Sequence, residues 1–202
     1  MPICAKTWVL ARVLHALRIV VTKMKMKLPA IHSKGSKKVY IVLGNARSGT
    51  TFLARAIKMA LESMGRPWRF DEEVHDSISS INNIILSEAG GDMWHPPSVE
   101  RIIEAGEYCS DMMENYLGGI AGANHFWGFK DPRTSLTLPA WLPLFEDNED
   151  VYLIAIFRKP NRVADSLDNL GWGLGNIEEN KKVIRQYNNR ILDNVRRFLD
   201  EE

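Results

Sequence analysis

Cysteine and clustered histidine are both scarce in this sequence of 202 residues. The two cysteines, Cys4 and Cys109, form no disulfide framework and match no zinc-ligand spacing, which favours a reducing, cytoplasmic compartment. The five histidines are scattered and include no HExxH pattern. The sequence therefore predicts neither a disulfide-stapled scaffold nor a metal site, structural or catalytic.

Acidic residues are absent from the first 38 positions, which carry nine lysines and arginines. Because the whole chain has a net charge of +1, residues 39–202 carry −8, and the near-neutral total gives no indication of nucleic-acid binding. Long apolar runs are absent too, because residues 8–21 are interrupted by Arg12, His15 and Arg18. That helical spacing predicts a basic amphipathic helix, which either makes peripheral contact with an anionic membrane surface or docks on the protein.

What is present is an alternation of strand and helix patterns. Residues 39–43, 126–130 and 151–157 are short apolar runs typical of buried parallel strands. Helical spacing follows from Thr50 and recurs over about 76–88, 98–117, 134–145, 159–169 and 177–199. This order predicts an α/β fold, a three-layer domain with a short parallel sheet flanked by helices. We divide the chain into a basic leader helix and linker, residues 1–37, and an α/β domain, residues 38–202.

The strongest local pattern is GNARSGTT, which starts at Gly44 and directly follows the first strand. Small residues let backbone N–H groups converge on an anion, and the following helix points its positive end at the same place. The pattern is close to the nucleotide P-loop, but Thr50 stands where that motif has the lysine that reaches the β- and γ-phosphates of ATP. This difference argues against an ATP kinase or a GTPase. Arg47 supplies the fixed cation instead, and its planar fork suits a phosphosulfate.

Two further strands run into polar residues. The strand at 151–157 is followed by Arg158, with Ser166 eight positions later, and the strand at 126–130 ends in Lys130, before Asp131 and Arg133. An arginine at the end of a parallel strand lies on the edge where α/β sheets bind ligands. For Asp131 and Arg133 we favour a structural role, capping and salt-bridging the helix that follows.

These motifs resemble those of sulfotransferases that use 3′-phosphoadenosine-5′-phosphosulfate (PAPS), particularly the bacterial and tyrosylprotein members. The resemblance covers about residues 38–190. It implies that Arg47, Ser48, Gly49, Thr50 and Thr51 bind the 5′-phosphosulfate. It also implies that Arg158 and Ser166 bind the 3′-phosphate, and that Lys130 is a catalytic cation.

The resemblance also implies a catalytic base near the acceptor. Glu73 is the first candidate, with Glu72 and His75 behind it, and a solvated acidic loop is an equally good interpretation of this segment. Trp94 lies in a stretch similar to one in bacterial members. It either lines the acceptor site or, as we favour, packs in the core.

The expected activity is metal-independent, in-line transfer of a sulfuryl group from PAPS to a hydroxyl or amine of an acceptor. The sequence does not identify that acceptor, which could be a carbohydrate, a peptide tyrosine, a lipid or a small alcohol. Family members usually continue into another strand after the last helix, so a domain lacking a C-terminal portion is a further expectation. The alternatives are a non-catalytic relic that binds adenosine 3′,5′-bisphosphate, a small-molecule P-loop kinase, and a membrane-surface adaptor built on the basic leader.

Overall fold

A computed structural model describes residues 17–24, 37–65, 69–71, 77–122, 124–145 and 149–200. Five strands form one sheet in the order β1-β5-β2-β4-β3. Strands β5, β2, β4 and β3 are parallel, and β1 pairs antiparallel with β5. The strands are β1 (Leu17–Met24), β2 (Lys37–Leu43), β3 (Arg69–Asp71), β4 (Phe126–Lys130) and β5 (Glu149–Arg158).

The three strands predicted from apolar runs are confirmed as β2, β4 and β5. Strand β1 corrects the prediction of a helix over residues 8–21, because residues 17–21 belong to a strand; the earlier residues of that helix lie outside the described part of the chain. The β-branched run Ile19-Val-Val-Thr22 suits a strand. Pairing with β1 also covers the edge of β5, whose backbone groups would otherwise lack partners.

Seven α-helices lie in the described residues, and their positions confirm the α/β class. They are α1 (Thr50–Ser63), α2 (Ser77–Glu88), α3 (Val99–Tyr108), α4 (Ser110–Ala121), α5 (Thr134–Trp141), α6 (Pro160–Asp168) and α7 (Ile177–Asp200). The helix predicted over 98–117 is two helices, which meet at Cys109. The helix predicted over 134–145 ends at Trp141 and continues as the 3₁₀ turn Leu142–Leu144, which contains Pro143. None of the described helices is long and apolar enough to cross a membrane.

The two faces of the sheet are covered by different helices. Alternate residues of the central strands, such as Val39, Ile41 and Leu43 of β2, join one large apolar cluster with residues of α2, α3, α4, α5 and α7. The buried residues Val42 and Ile156 lie outside that cluster, as does Ala54 of α1. Helix α1 therefore covers the second face, and the result is the predicted three-layer arrangement.

The strand order fixes where a ligand would bind. Strand β2 lies between β4 and β5. After β2, the chain forms β3 and β4 on one side of it and then β5 on its other side. The carboxyl end of β2 is therefore a topological switch point. Open α/β sheets bind ligands in the crevice at such a point. The glycine loop begins at this end of β2, directly after Leu43.

Candidate functional site

The loop after β2 is a tight turn that leads directly into α1. Ser48 closes it with two bonds to the carbonyl oxygen of Asn45, from its amide nitrogen at 3.1 Å and from its hydroxyl at 2.6 Å. Gly44 is required because a Cβ there would lie 2.7 Å from both the Ser48 hydroxyl and the Thr50 methyl group. The two bonds and the close approach at Gly44 together fix the backbone of the turn.

Arg47 has a left-handed backbone at the tip of this turn, with φ of 65°, which non-glycine residues seldom adopt. Helix α1 then starts after Gly49, and no side chain caps its N-terminus. Uncapped N–H groups and the helix dipole together make this end of α1 suitable for an anion. Of the two threonines, Thr50 is buried and Thr51 is half-buried.

The second motif meets this loop directly. Nη1 of Arg158, the last residue of β5, donates to the carbonyl oxygen of Arg47 at 2.9 Å. Nε of Arg47 in turn donates to Oγ of Ser166, on α6, at 3.1 Å. Two hydrogen bonds therefore join two motifs that lie more than 100 residues apart in sequence.

A cleft of about 340 Å³ opens between the loop and α6. Its lining contains three arginines and one acidic residue, so its formal charge is +2. The lining residues are Arg47, Arg158, Arg162, Asp165, Ser166, Asn169 and Leu170. This charge and these donors fit a ligand with more than one anionic group.

Sequence reasoning missed the cleft residues Arg162, Asp165 and Asn169. All three lie on or just after α6, at helical spacing around Ser166. Residues three or four positions apart on a helix share one face. Once Ser166 is placed at the site, this spacing identifies the rest of that wall.

Helix α7 and the start of α5 hold the loop from the other side. Nδ2 of Asn45 donates to Oδ1 of Asn188, on α7, at 2.8 Å. The Ser135 hydroxyl accepts a bond from the Gly44 amide at 2.9 Å, and Nδ2 of Asn194 donates to the Ser135 carbonyl oxygen at 3.2 Å. No short-range sequence pattern could have identified these contacts, since the partners lie 59 to 143 residues apart.

Lys130 lies at the carboxyl end of β4, where it pairs with Val42 of β2. It is buried, with 4% of its surface exposed. It thus lies on the sheet edge that carries the loop, but it does not line the cleft formed by Arg47 and Arg158. The structure brings Arg47, Arg158 and Ser166 together and leaves Lys130 one strand away.

Asp131 and Arg133 form the salt bridge that the sequence favoured, but no side chain caps the start of α5. Nη1 of Arg133 donates to Oδ2 of Asp131 at 2.8 Å, and the Arg133 amide donates to Oδ1 at 2.9 Å. The carboxylate is 2% exposed, so this ion pair is largely withdrawn from water. It fixes the turn between β4 and α5.

Asn82, on α2, is the centre of a buried polar cluster behind this turn. Its Nδ2 donates to Oδ1 of Asp131 at 3.2 Å and to the Thr134 hydroxyl at 2.9 Å. Its Oδ1 accepts from the Thr137 hydroxyl at 2.6 Å and from Nε1 of Trp141 at 2.9 Å. All four bonding sites of one amide are used, and α2 is thereby joined to α5.

Tyr187, on α7, is another buried polar group near this turn. Tyr187 is 2% exposed, and its hydroxyl has no hydrogen-bond partner among the described residues. Burial, together with the negative charge of Asp131, raises the pKa of Tyr187 well above its usual value. The phenol is therefore neutral throughout the physiological range.

Trp94 packs against both apolar clusters, which agrees with the core role that the sequence favoured for it. The loop that carries it is ordered by Asp92, whose Oδ1 accepts from the amides of Trp94 at 2.6 Å and His95 at 2.7 Å. Burial opposes ionisation of Asp92, but the hydrogen bonds from His95 and Trp94 outweigh it and lower its pKa.

The candidate bases Glu72, Glu73 and His75 lie outside the described residues. The nearest described residue before them is Asp71, which ends β3 and pairs with Phe129. Asp71 therefore lies at the carboxyl end of β3, next to the carboxyl end of β4 that carries Lys130. Within the described residues, no group of three or more His, Cys, Asp or Glu side chains could hold a metal ion.

Comparisons with known proteins found no matching family model, no matching curated protein and no matching solved structure. We therefore infer function from this chain's own residues and their geometry.

Proposed function

We propose that the chain is a sulfotransferase that transfers a sulfuryl group from PAPS to a hydroxyl or amine of an acceptor. The observation that carries the proposal is the junction of the two motifs. Arg158 and Ser166 both bond to Arg47, and the three side chains line one cleft at the switch point of the sheet.

The chemistry of the cleft supports a donor with two separated anionic groups. The uncapped start of α1 and Arg47 suit the 5′-phosphosulfate. Arg158 and Ser166, with the neighbouring Arg162, suit a 3′-phosphate. Thr50 at the position of the P-loop lysine argues against a triphosphate.

PAPS is a substrate in this proposal and supplies the sulfuryl group. The acceptor oxygen or nitrogen forms a bond to sulfur while the bond from sulfur to the bridging oxygen breaks. Adenosine 3′,5′-bisphosphate then leaves with the electron pair, and the acceptor proton goes to Glu73 or a neighbouring base. Arg47, which lines the cleft, has the charge needed to stabilise the departing phosphate. Lys130 is the second cation of the proposal, although it lies one strand away from the cleft.

The first test is calorimetric titration with adenosine 3′,5′-bisphosphate, with 5′-AMP and Mg-ATP as comparison ligands. We expect the bisphosphate to bind at least tenfold more tightly than 5′-AMP, because only the bisphosphate has a 3′-phosphate for Arg158. Arg158→Ala should remove that preference. Arg185→Ala is the matched control, because Arg185 is an exposed arginine that does not line the cleft.

Other results would support the rival functions. Tighter binding of Mg-ATP than of the bisphosphate would favour a kinase and contradict the proposal. Specific bisphosphate binding without turnover of PAPS, over a panel of sugar, phenol, lipid and amine acceptors, would favour a non-catalytic binding protein.

A further inference from the structure

The lining of the cleft between the glycine loop and α6 contains one group that an anionic ligand does not explain. Its three arginines only donate hydrogen bonds, whereas the carboxylate of Asp165 only accepts them. Phosphate and sulfate groups need donors, and a carboxylate beside them repels them. Asp165 therefore indicates a ligand that carries a hydrogen-bond donor close to its anionic groups.

The side chain of Asp165 has no structural contact that would account for it. Among the described residues it forms no ion pair and no hydrogen bond, although Arg162 lies one turn earlier on α6 and lines the same cleft. Asp165 is also exposed. Its carboxylate is therefore available to a ligand in the cleft.

Asp165 lies on the side of the cleft away from the glycine loop. Successive residues of a helix are about 100° apart, so Asp165 and Ser166 flank the cleft-facing side of α6, with Arg162 between them. Ser166 is on the flank nearer the loop, because its hydroxyl accepts from Nε of Arg47. The order outward from the loop is therefore Arg47, Ser166 and Asp165.

The polar groups of the proposed donor have the same order along its ribose. The 3′-phosphate lies between the 5′-phosphosulfate and the 2′-hydroxyl. With the 5′-phosphosulfate at the loop and the 3′-phosphate at Ser166, the 2′-hydroxyl lies at Asp165. A carboxylate that accepts from a ribose 2′-hydroxyl is also the arrangement by which dinucleotide-binding α/β folds recognise ribose.

We propose that Asp165 accepts a hydrogen bond from the 2′-hydroxyl of the donor and thereby selects a ribonucleotide whose second phosphate is at the 3′ position. This role rests on the proposed function, since it requires a 3′-phosphorylated nucleotide in the cleft. The carboxylate favours a hydroxyl at the 2′ position and repels a phosphate there.

The test compares adenosine 3′,5′-bisphosphate with two analogues, by calorimetry on the full chain. The 2′-deoxy form of the bisphosphate lacks the hydroxyl, and adenosine 2′,5′-bisphosphate exchanges the positions of phosphate and hydroxyl without changing the charge. We expect the wild type to bind each analogue about tenfold more weakly than adenosine 3′,5′-bisphosphate, because each loses the bond from the 2′-hydroxyl to a charged acceptor.

Asp165→Ala should bind adenosine 3′,5′-bisphosphate and its 2′-deoxy form equally well. The measured quantity is the ratio of the two dissociation constants, because removal of a negative charge from the cleft strengthens the binding of both anions alike. Asp168→Ala is the matched control and should keep the wild-type ratio, since Asp168 is an exposed acidic residue of α6 that does not line the cleft.

Asp165→Asn separates the hydrogen bond from the charge. Its amide oxygen still accepts from a hydroxyl, so part of the preference over the 2′-deoxy form should remain. The repulsion of a 2′-phosphate is lost, so the difference in affinity between the 3′,5′ and 2′,5′ isomers should shrink.

The results distinguish a failure of this role from a failure of the proposed function. If the wild type binds adenosine 3′,5′-bisphosphate specifically but shows no preference over the 2′-deoxy form, the role of Asp165 is overturned and the proposed function is kept. An unchanged preference in Asp165→Ala would overturn the role as well. If the wild type binds none of the three bisphosphates, the proposed function and the role of Asp165 are both overturned.

Discussion

At the scale of single residues, Arg47 combines a strained backbone with a proposed role in binding. Its φ of 65° costs about 1 kcal/mol or more for any residue with a Cβ, and glycine avoids that cost. Arg47→Gly should therefore be about 1 kcal/mol more stable than Arg47→Ala, although both lose the bond to Ser166. Urea unfolding of the two variants measures the difference. Equal stabilities would contradict a left-handed Arg47.

The same pair of variants separates strain from function. Both should bind adenosine 3′,5′-bisphosphate more weakly than the wild type, because both lack the guanidinium that lines the cleft. If Arg47→Gly relieves backbone strain and also weakens binding, then Arg47 lowers the stability of the fold and is kept for its role in the cleft.

Asn82 illustrates the opposite case, a residue whose polar group serves the fold. Asn82→Ala removes an amide that bonds to Asp131, Thr134, Thr137 and Trp141, and leaves these buried groups without that partner. We expect a loss of about 3 kcal/mol or more in the free energy of unfolding. Asn83→Ala, at the exposed neighbouring position, should change it by less than about 0.5 kcal/mol. Similar losses in the two variants would contradict the buried cluster.

Tyr187 gives a prediction of pH dependence. Its pKa is raised by burial, so the folded protein keeps the phenol proton at pH 11, whereas an unfolded chain loses it above about pH 10. The folded state then binds more protons than the unfolded state, and stability falls as pH rises above about 10. Between pH 8 and pH 11 the wild type should lose about 1 kcal/mol more than Tyr187→Phe. Urea unfolding at both values tests this; parallel losses would show that Tyr187 ionises normally when folded.

At the scale of elements, the sequence predicts best where one pattern suffices. The apolar runs of β2, β4 and β5 are too short for helices and are buried on both faces, so their composition alone indicates strands. Strand β1 was missed because the spacing of Arg12, His15 and Arg18 indicated a helix, and only Arg18 of these three residues belongs to β1. This segment forms a strand because it pairs with the edge of β5, and a local sequence pattern contains no information about that pairing.

The antiparallel pairing of β1 can be tested with proline. In an edge strand, successive N–H groups point alternately toward the neighbouring strand and away from it. Of Ile19→Pro and Val20→Pro, one should therefore destabilise the protein by about 1 kcal/mol or more, and the other should be much better tolerated. Urea unfolding and amide hydrogen exchange of β5 measure the difference. Two equally harmless substitutions would contradict the pairing.

The site was predicted in part for the same physical reasons. Arg47 and Arg158 could be found because one follows β2 and the other ends β5, and the ends of parallel strands share one edge. Ser166, on α6, could be found from its spacing of eight residues from Arg158. The supports Asn188, on α7, and Ser135, on α5, could not be found, because they reach the loop only through tertiary packing. Lys130 also lies at the carboxyl end of a parallel strand, but it does not line the cleft. A position at this edge of the sheet therefore does not by itself identify a cleft residue.

At the scale of the whole molecule, the cleft joins segments that are distant in the chain. Its lining comes from the loop before α1, the end of β5 and helix α6, so a ligand that binds all three segments favours the folded state over the unfolded one. Adenosine 3′,5′-bisphosphate at 100 times its dissociation constant should raise the free energy of unfolding by about 2.7 kcal/mol. At the same concentration Arg158→Ala should show little of this gain, and Arg185→Ala should show all of it. An equal gain with 5′-AMP would mean that Arg158 and Ser166 do not recognise a 3′-phosphate. No gain for the wild type would mean that the joined motifs do not form a nucleotide site.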